Sequence, residues 1–126
     1  MTGLIWIVQL VHYPSFHFVG TDNFEAFQQH HVKSIDKIVI PVMVAEITSS
    51  FGLAWIDGWF SLNAAGLFIV IMIWAATGLF SVPAHSRLEQ SKDENAIKKL
   101  VSSNWIRTVL WTLKSALSFY LLMQMI

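Results

Sequence analysis

The chain has 126 residues, 55% of them hydrophobic and only 13% charged, with eight basic and eight acidic side chains and a formal net charge of zero. A soluble domain carries roughly 25% charged residues, so the deficit points to lipid as the solvent, and the missing basic excess argues against a nucleic-acid partner. Cysteine is absent, which removes disulfides, iron–sulfur clusters and any cysteine-ligated zinc or haem.

By length the chain is one domain, residues 1–126. The first apolar stretch, residues 3–19, is short for a bilayer, which takes about 20 residues of helix, and it contains His12, Pro14 and His17. We count it as a span, because otherwise an apolar run would have nowhere aqueous to lie. A start upstream of Met1 by one turn would give it ordinary length. No Lys or Arg precedes Lys33, so the stretch lacks the basic leader of a secretory signal and is expected to remain in the mature protein.

Residues 20–37 form the first larger loop. Asp22 followed by Glu25 reads as a capping box that starts a helix before the membrane. Phe24, Phe27, His31 and Ile35 fall near one face of it, so this helix should lie at the interface and run on into the second span, 38–56. Pro41 deprives the carbonyl of Lys37 of its helical partner and predicts a bend. Asp57-Gly58 is a tight-turn signal flanked by Trp55 and Trp59 as interfacial anchors. The third span, 59–82, is therefore antiparallel to the second. Its unbroken apolar run Leu67 to Ala76, with Gly66 and Gly78 at the ends, suits packing against another helix. Residues 83–104 turn polar, with a surface helix from Glu94 to Val101 leading into the fourth span, 105–126. The fold class expected is an all-α integral membrane four-helix up-and-down bundle with interfacial helices on the cytoplasmic side. Lys33 and Lys37 lie in the first loop, and Arg87, Lys92, Lys98 and Lys99 in the third, against none in the second. Basic loops stay in the cytoplasm, so both termini are expected outside it.

Depth can be counted at about 1.5 Å of rise per residue. Glu46, Lys114 and His12 then all come out roughly 12 to 14 Å from the cytoplasmic edge. A charge at that depth needs a partner, which predicts a buried Glu46–Lys114 pair with His12 close by. Such a pair could equally serve only to set which helices pack together. A second layer nearer the surface holds Tyr13, His17, His30, His31, His85 and Arg107. Arg107 is shallow enough to anchor at the interface or meet a lipid phosphate. His30 and His31 point to different sides of a helix and make no metal site alone. Three imidazoles from separate segments, His12, His30 and His85, are the metal candidates, and two of them could pin a haem. No phosphate-binding glycine loop, nucleophile elbow or His-Glu-x-x-His helix occurs.

Three fragments carry a resemblance: Val11-His12-Tyr13-Pro14, Pro83-Ala84-His85-Ser86-Arg87-Leu88, and Asn104-Trp105-Ile106-Arg107-Thr108. They resemble the corresponding segments of small four-span bacterial membrane proteins related to the anthrone oxygenases. This chain has His85 where that family usually has Asn, and Tyr13 between His12 and Pro14. The resemblance implies a bacterial inner-membrane protein, oxygenase-like or redox-active on a small hydrophobic or phenolic substrate. In that reading His12 or His85 serves as base or ligand, and Arg107 steadies an anion. The alternative is a non-catalytic accessory or structural subunit, with partner helices or further copies of itself on its outer faces. A transporter fits less well, since four spans without paired broken helices leave little room for alternating access.

Overall fold

The computed structural model describes residues 1–126, and every regular element in it is helical. The first helix is built in pieces: an α-helix Thr2–Ile7, a π-helical turn Val8–His12, an α-helical turn Tyr13–Ser15 and a 3-10 turn Phe16–Phe18. The second is one α-helix, Thr21–Asp57. The third comprises Leu62–Ala76, a second π-helical turn Thr77–Ser81, and Val82–Leu88. The fourth is Glu94–Met125.

The ends follow from local chemistry. Gly58, at φ 90°, ends the second helix in a backbone region that other residues adopt at a cost. Ser61 then caps the third helix by accepting from the Ala64 N–H at 3.1 Å. Asp93 caps the fourth, accepting from the N–H groups of Asn95 at 2.8 Å and Ala96 at 3.2 Å. The capping box predicted at Asp22 and Glu25 does not form: the second helix starts two residues earlier, at Thr21, with Gly20 in place of Asp22 as its cap and no side-chain cap bond. Asp22 sits inside the first turn, where its charge complements the helix dipole. Pro41 lies within the helix on its exposed side without ending it.

The loops are shorter than the composition suggested. Residues 20–37 are helix from Thr21 onward, continuous with the second span as expected. Residues 83–104 contain only a short connection at 89–93, because the third helix continues to Leu88 and the fourth begins at Glu94. Two of the four helices, Thr21–Asp57 and Leu62–Leu88, are long and apolar enough to cross a membrane. The broken first helix and the fourth, with Arg107 and Lys114 inside it, do not meet that standard.

The packing is inverted relative to a soluble bundle. Only 17% of the apolar stretch in the second helix and 33% of that in the third is buried within the molecule. Leu10, Val11, Ile38, Val44, Phe68 and Leu79 all face outward, whereas Gln9, Gln28, Ser81, Asn104, Arg107 and Thr108 are buried. Gly66 is used inside the bundle: a Cβ there would stand 3.1 Å from Lys114 Nζ. That glycine is therefore spent on the fourth helix and offers no face to an outside partner. At one end an apolar plug of Phe16, Phe24, Leu88, Ile97 and Leu100, all fully buried, closes the bundle beneath its polar interior.

Candidate functional site

Each π-helical turn ends two residues before a proline: His12 before Pro14, and Ser81 before Pro83. A proline inside a helix lacks an N–H and its ring collides with the carbonyl four residues back. The wider π turn relieves that collision and re-aims the side chains that follow it. Those side chains are Tyr13 and His85. Their two kinked segments bring the Tyr13 hydroxyl to 3.1 Å from His85 Nε2.

The second helix supplies Gln28 and His31, three residues apart and so on one face. Gln28 Nε2 stands 2.7 Å from His85 Nδ1, and His31 Nδ1 lies 2.8 Å from His12 Nε2. The His31 and His85 rings lie side by side, 5.5 Å between centroids. The fourth helix adds Arg107, which donates to Ser81 Oγ at 3.0 Å and to Asn104 Oδ1 at 3.2 Å. Asn104 in turn donates to Gln9 Oε1 at 2.9 Å, and Gln9 donates to the Val101 carbonyl at 3.0 Å. The guanidinium also lies 5.1 Å over the Trp111 ring, a favourable cation–π placement.

Arg107 is thus an interior residue, 5% exposed, and the expected interfacial anchor role does not fit it. The ion pair Lys92–Glu94 and the His17–Glu94 contact beside it lie elsewhere. A buried guanidinium held only by neutral oxygens and an aromatic face has charge left over for an anionic or strongly polar guest.

Beside this group lies a cavity of about 410 Å³ between the second and third helices. Tyr13, Ser81, His85 and Arg107 form its polar end, and Val39, Ile40, Met43 and Trp74 its apolar part. Asp36 and Glu89 also border it. The volume falls in the range of small-molecule sites, about 300 to 1,000 Å³, and the lining mixes apolar side chains with polar ones, Thr77 and Ser86 among them.

Of the second layer predicted from the sequence, Tyr13, His31, His85 and Arg107 converge, and His12 joins them. His17 instead pairs with Glu94 near the end of the first helix. His30 is exposed and meets only Ser34 at 3.5 Å, so the trio His12, His30 and His85 does not assemble. No group of three or more His, Asp or Glu side chains is arranged to hold a metal ion.

The Glu46–Lys114 pair does not form either. Glu46 Oε2 accepts from the Trp111 indole N–H at 2.7 Å, while Lys114 reaches Ser118 Oγ at 3.4 Å. Equal depth does not imply facing sides: Trp111, one turn before Lys114, takes the place facing Glu46. The sequence assigned no role to Gln9, Gln28 or Ser81, and Asn104 figured only as the first residue of a resembling fragment. Gln9 stood as a lone amide in the apolar run from Gly3 to Val11, a signal that could have marked it.

Comparisons with protein-family models, curated proteins and solved structures find no match for this chain.

Proposed function

We propose that this chain is a polytopic protein of a bacterial inner membrane that takes a small, mostly apolar molecule from the bilayer into the cavity between its second and third helices. Acid–base chemistry on that molecule by the Tyr13–His85 pair, with Arg107 steadying negative charge on an oxygen, is the activity we assign to it. This keeps the substrate class of the anthrone-oxygenase resemblance and, of its two roles for His85, base or ligand, takes the base. The observation that carries it is the convergence of His85, Tyr13 and Arg107, a guanidinium paired with no carboxylate, on one end of a cavity that also offers apolar walls at Val39, Ile40, Met43 and Trp74. The membrane setting is supported by the outward apolar faces and by the basic residues confined to two of the three loops.

The test is occupancy. In nanodiscs, small bicyclic aromatic probes such as 1-tetralone should quench Trp74 saturably. Val39→Trp, which fills the apolar part, should abolish that quenching while leaving helicity intact. Non-saturable quenching equal in both proteins would mean that the probe only partitions into lipid and that the cavity is no ligand site.

A further inference from the structure

The direction of each hydrogen bond behind the cavity can be followed atom by atom. Gln28 Nε2 lies 2.7 Å from His85 Nδ1, and an amide nitrogen can only donate. His85 Nδ1 therefore carries no proton, and the neutral ring holds its proton on Nε2. That N–H donates to Tyr13 Oη across 3.1 Å. The Tyr13 hydroxyl hydrogen then meets no protein acceptor: Tyr13 Oη bonds only His85 Nε2, Arg107 has only N–H groups to offer, and Ser81 Oγ is engaged by Arg107. Tyr13 is 4% exposed, so its O–H can turn only toward the cavity it lines. Arg107 Nε is likewise buried without a partner.

We infer that the polar end of the cavity is a site for a group that only accepts hydrogen bonds, a carbonyl or an oxyanion carried on a small apolar ring system. Tyr13 and Arg107 are its two donors, and Gln28 is the positioning residue that, through His85, sets the polarity of the Tyr13 hydroxyl. This rests on the ligand-site reading given above and goes beyond it by fixing the sign of the recognised group. A hydroxyl or amine brought between Tyr13 and Arg107 finds donors facing it and no acceptor between them, so its own proton has to leave this end for the Asp36 or Glu89 carboxylates at the border, the kind of mismatch by which polar sites disfavour analogues.

The experiment uses full-length protein in neutral-lipid nanodiscs, titrated with four probes on one frame: naphthalene, 2-naphthol, 1-tetralone and 2-naphthoate. Trp74 fluorescence reports occupancy, with Trp74→Phe as the control for the other tryptophans. 1-Tetralone and 2-naphthoate should bind about tenfold or more tightly than naphthalene, and 2-naphthol should gain little. Tyr13→Phe should bring 1-tetralone down to the level of naphthalene.

Gln28→Glu should do the same with Tyr13 in place. Its carboxylate accepts from His85 Nδ1–H, which makes Nε2 an acceptor and draws the Tyr13 O–H away from the cavity. Nitrogen-15 spectra should show His85 protonated on Nε2 in the wild type and on Nδ1 in Gln28→Glu, a switch that lost packing alone does not produce. Tightest binding of 2-naphthol, or a wild-type His85 protonated on Nδ1, overturns the inference; should Gln28→Glu not fold, the wild-type spectrum and Tyr13→Phe still decide. If no probe binds saturably, the ligand-site reading itself fails. If all four bind alike, the cavity is a ligand site and only the selectivity for acceptors is wrong.

Discussion

Glu46 Oε2 accepts a hydrogen bond from the indole N–H of Trp111 at 2.7 Å, joining the middle of the second helix to the fourth. Trp111 is 1% exposed, so the bond is made on the inner side of the bundle. Trp111→Phe keeps most of the aromatic volume and removes only the donor. It should cost about 1 to 3 kcal/mol, the range for a hydrogen bond whose remaining partner is left unpaired. Lys114→Met should cost less, since Lys114 makes one long bond to an exposed serine. A double-mutant cycle on thermal unfolding in detergent separates the two: coupling is expected for Glu46 with Trp111 and not for Glu46 with Lys114. Coupling confined to Lys114 would restore the ion pair expected from depth alone.

The buried amide chain should be the least replaceable part of the interior. Asn104 accepts from Arg107 and donates to Gln9, so Asn104→Leu strands a guanidinium and an amide at once. The expected loss is about 2 to 4 kcal/mol. Replacing Gln9 and Asn104 together by leucine should cost less than the sum of the single changes, because each single change leaves the other's partner behind. Additive losses would show that the two amides act independently.

Acid should loosen the end of the first helix. Lys92 Nζ donates to the carbonyls of His17 and Val19, both at 3.0 Å, and Glu94 holds Lys92 at 3.2 Å while also bonding His17. The bond from His17 and then the Lys92 ammonium hold the Glu94 carboxyl below the usual carboxylate range. A group whose folded-state pKa is depressed stabilises the fold above its unfolded pKa, and that contribution is lost as pH falls through the depressed value. Amide exchange at Phe18, Val19 and Gly20 should therefore speed up, beyond its intrinsic pH dependence, as pH drops below the ordinary carboxylate range. Glu94→Gln should remove that extra dependence; an identical profile in the variant would assign the effect to another group.

Reporter fusions test the proposed topology. A fusion at Ile126 should read as outside the cytoplasm and one at Lys92 as inside, in keeping with the six loop cations of residues 20–37 and 83–104. The opposite pattern would reverse the orientation, and an inside signal at both sites would mean that the fourth helix does not cross.

Helix number and order were readable because apolar runs, the Asp57-Gly58 turn and the polar break before Glu94 are local signals. That Tyr13, His31, His85 and Arg107 share one layer of the bundle was also readable, since a shared level along the helices only requires counting. Facing was not. Glu46 was expected opposite Lys114, but the inner position belongs to Trp111, and the choice depends on how two helices rotate against each other. Gln28 and Asn104 belong to no chemical motif, so nothing local distinguishes them from surface amides until their burial is known. The Asp22 cap failed because Gly20 could already cap the helix two residues sooner.

The two π-helical turns have a further meaning for the lineage of such chains. A π turn amounts to one residue inserted into an α-helix, and one residue is about 100° of rotation at 3.6 residues per turn. Deleting a single residue from Val8–His12 would leave an apolar helix that still inserts, but would swing Tyr13 by about that angle relative to Ile5 and Thr2. The same deletion in Thr77–Ser81 would turn His85 away from Tyr13. A homologue shorter by one residue at either place could therefore keep the membrane architecture and lack the site. Chain length between Thr2 and Pro14, and between Leu62 and Pro83, thus offers a simple marker for sorting relatives that share the chemistry from those that share only the shape.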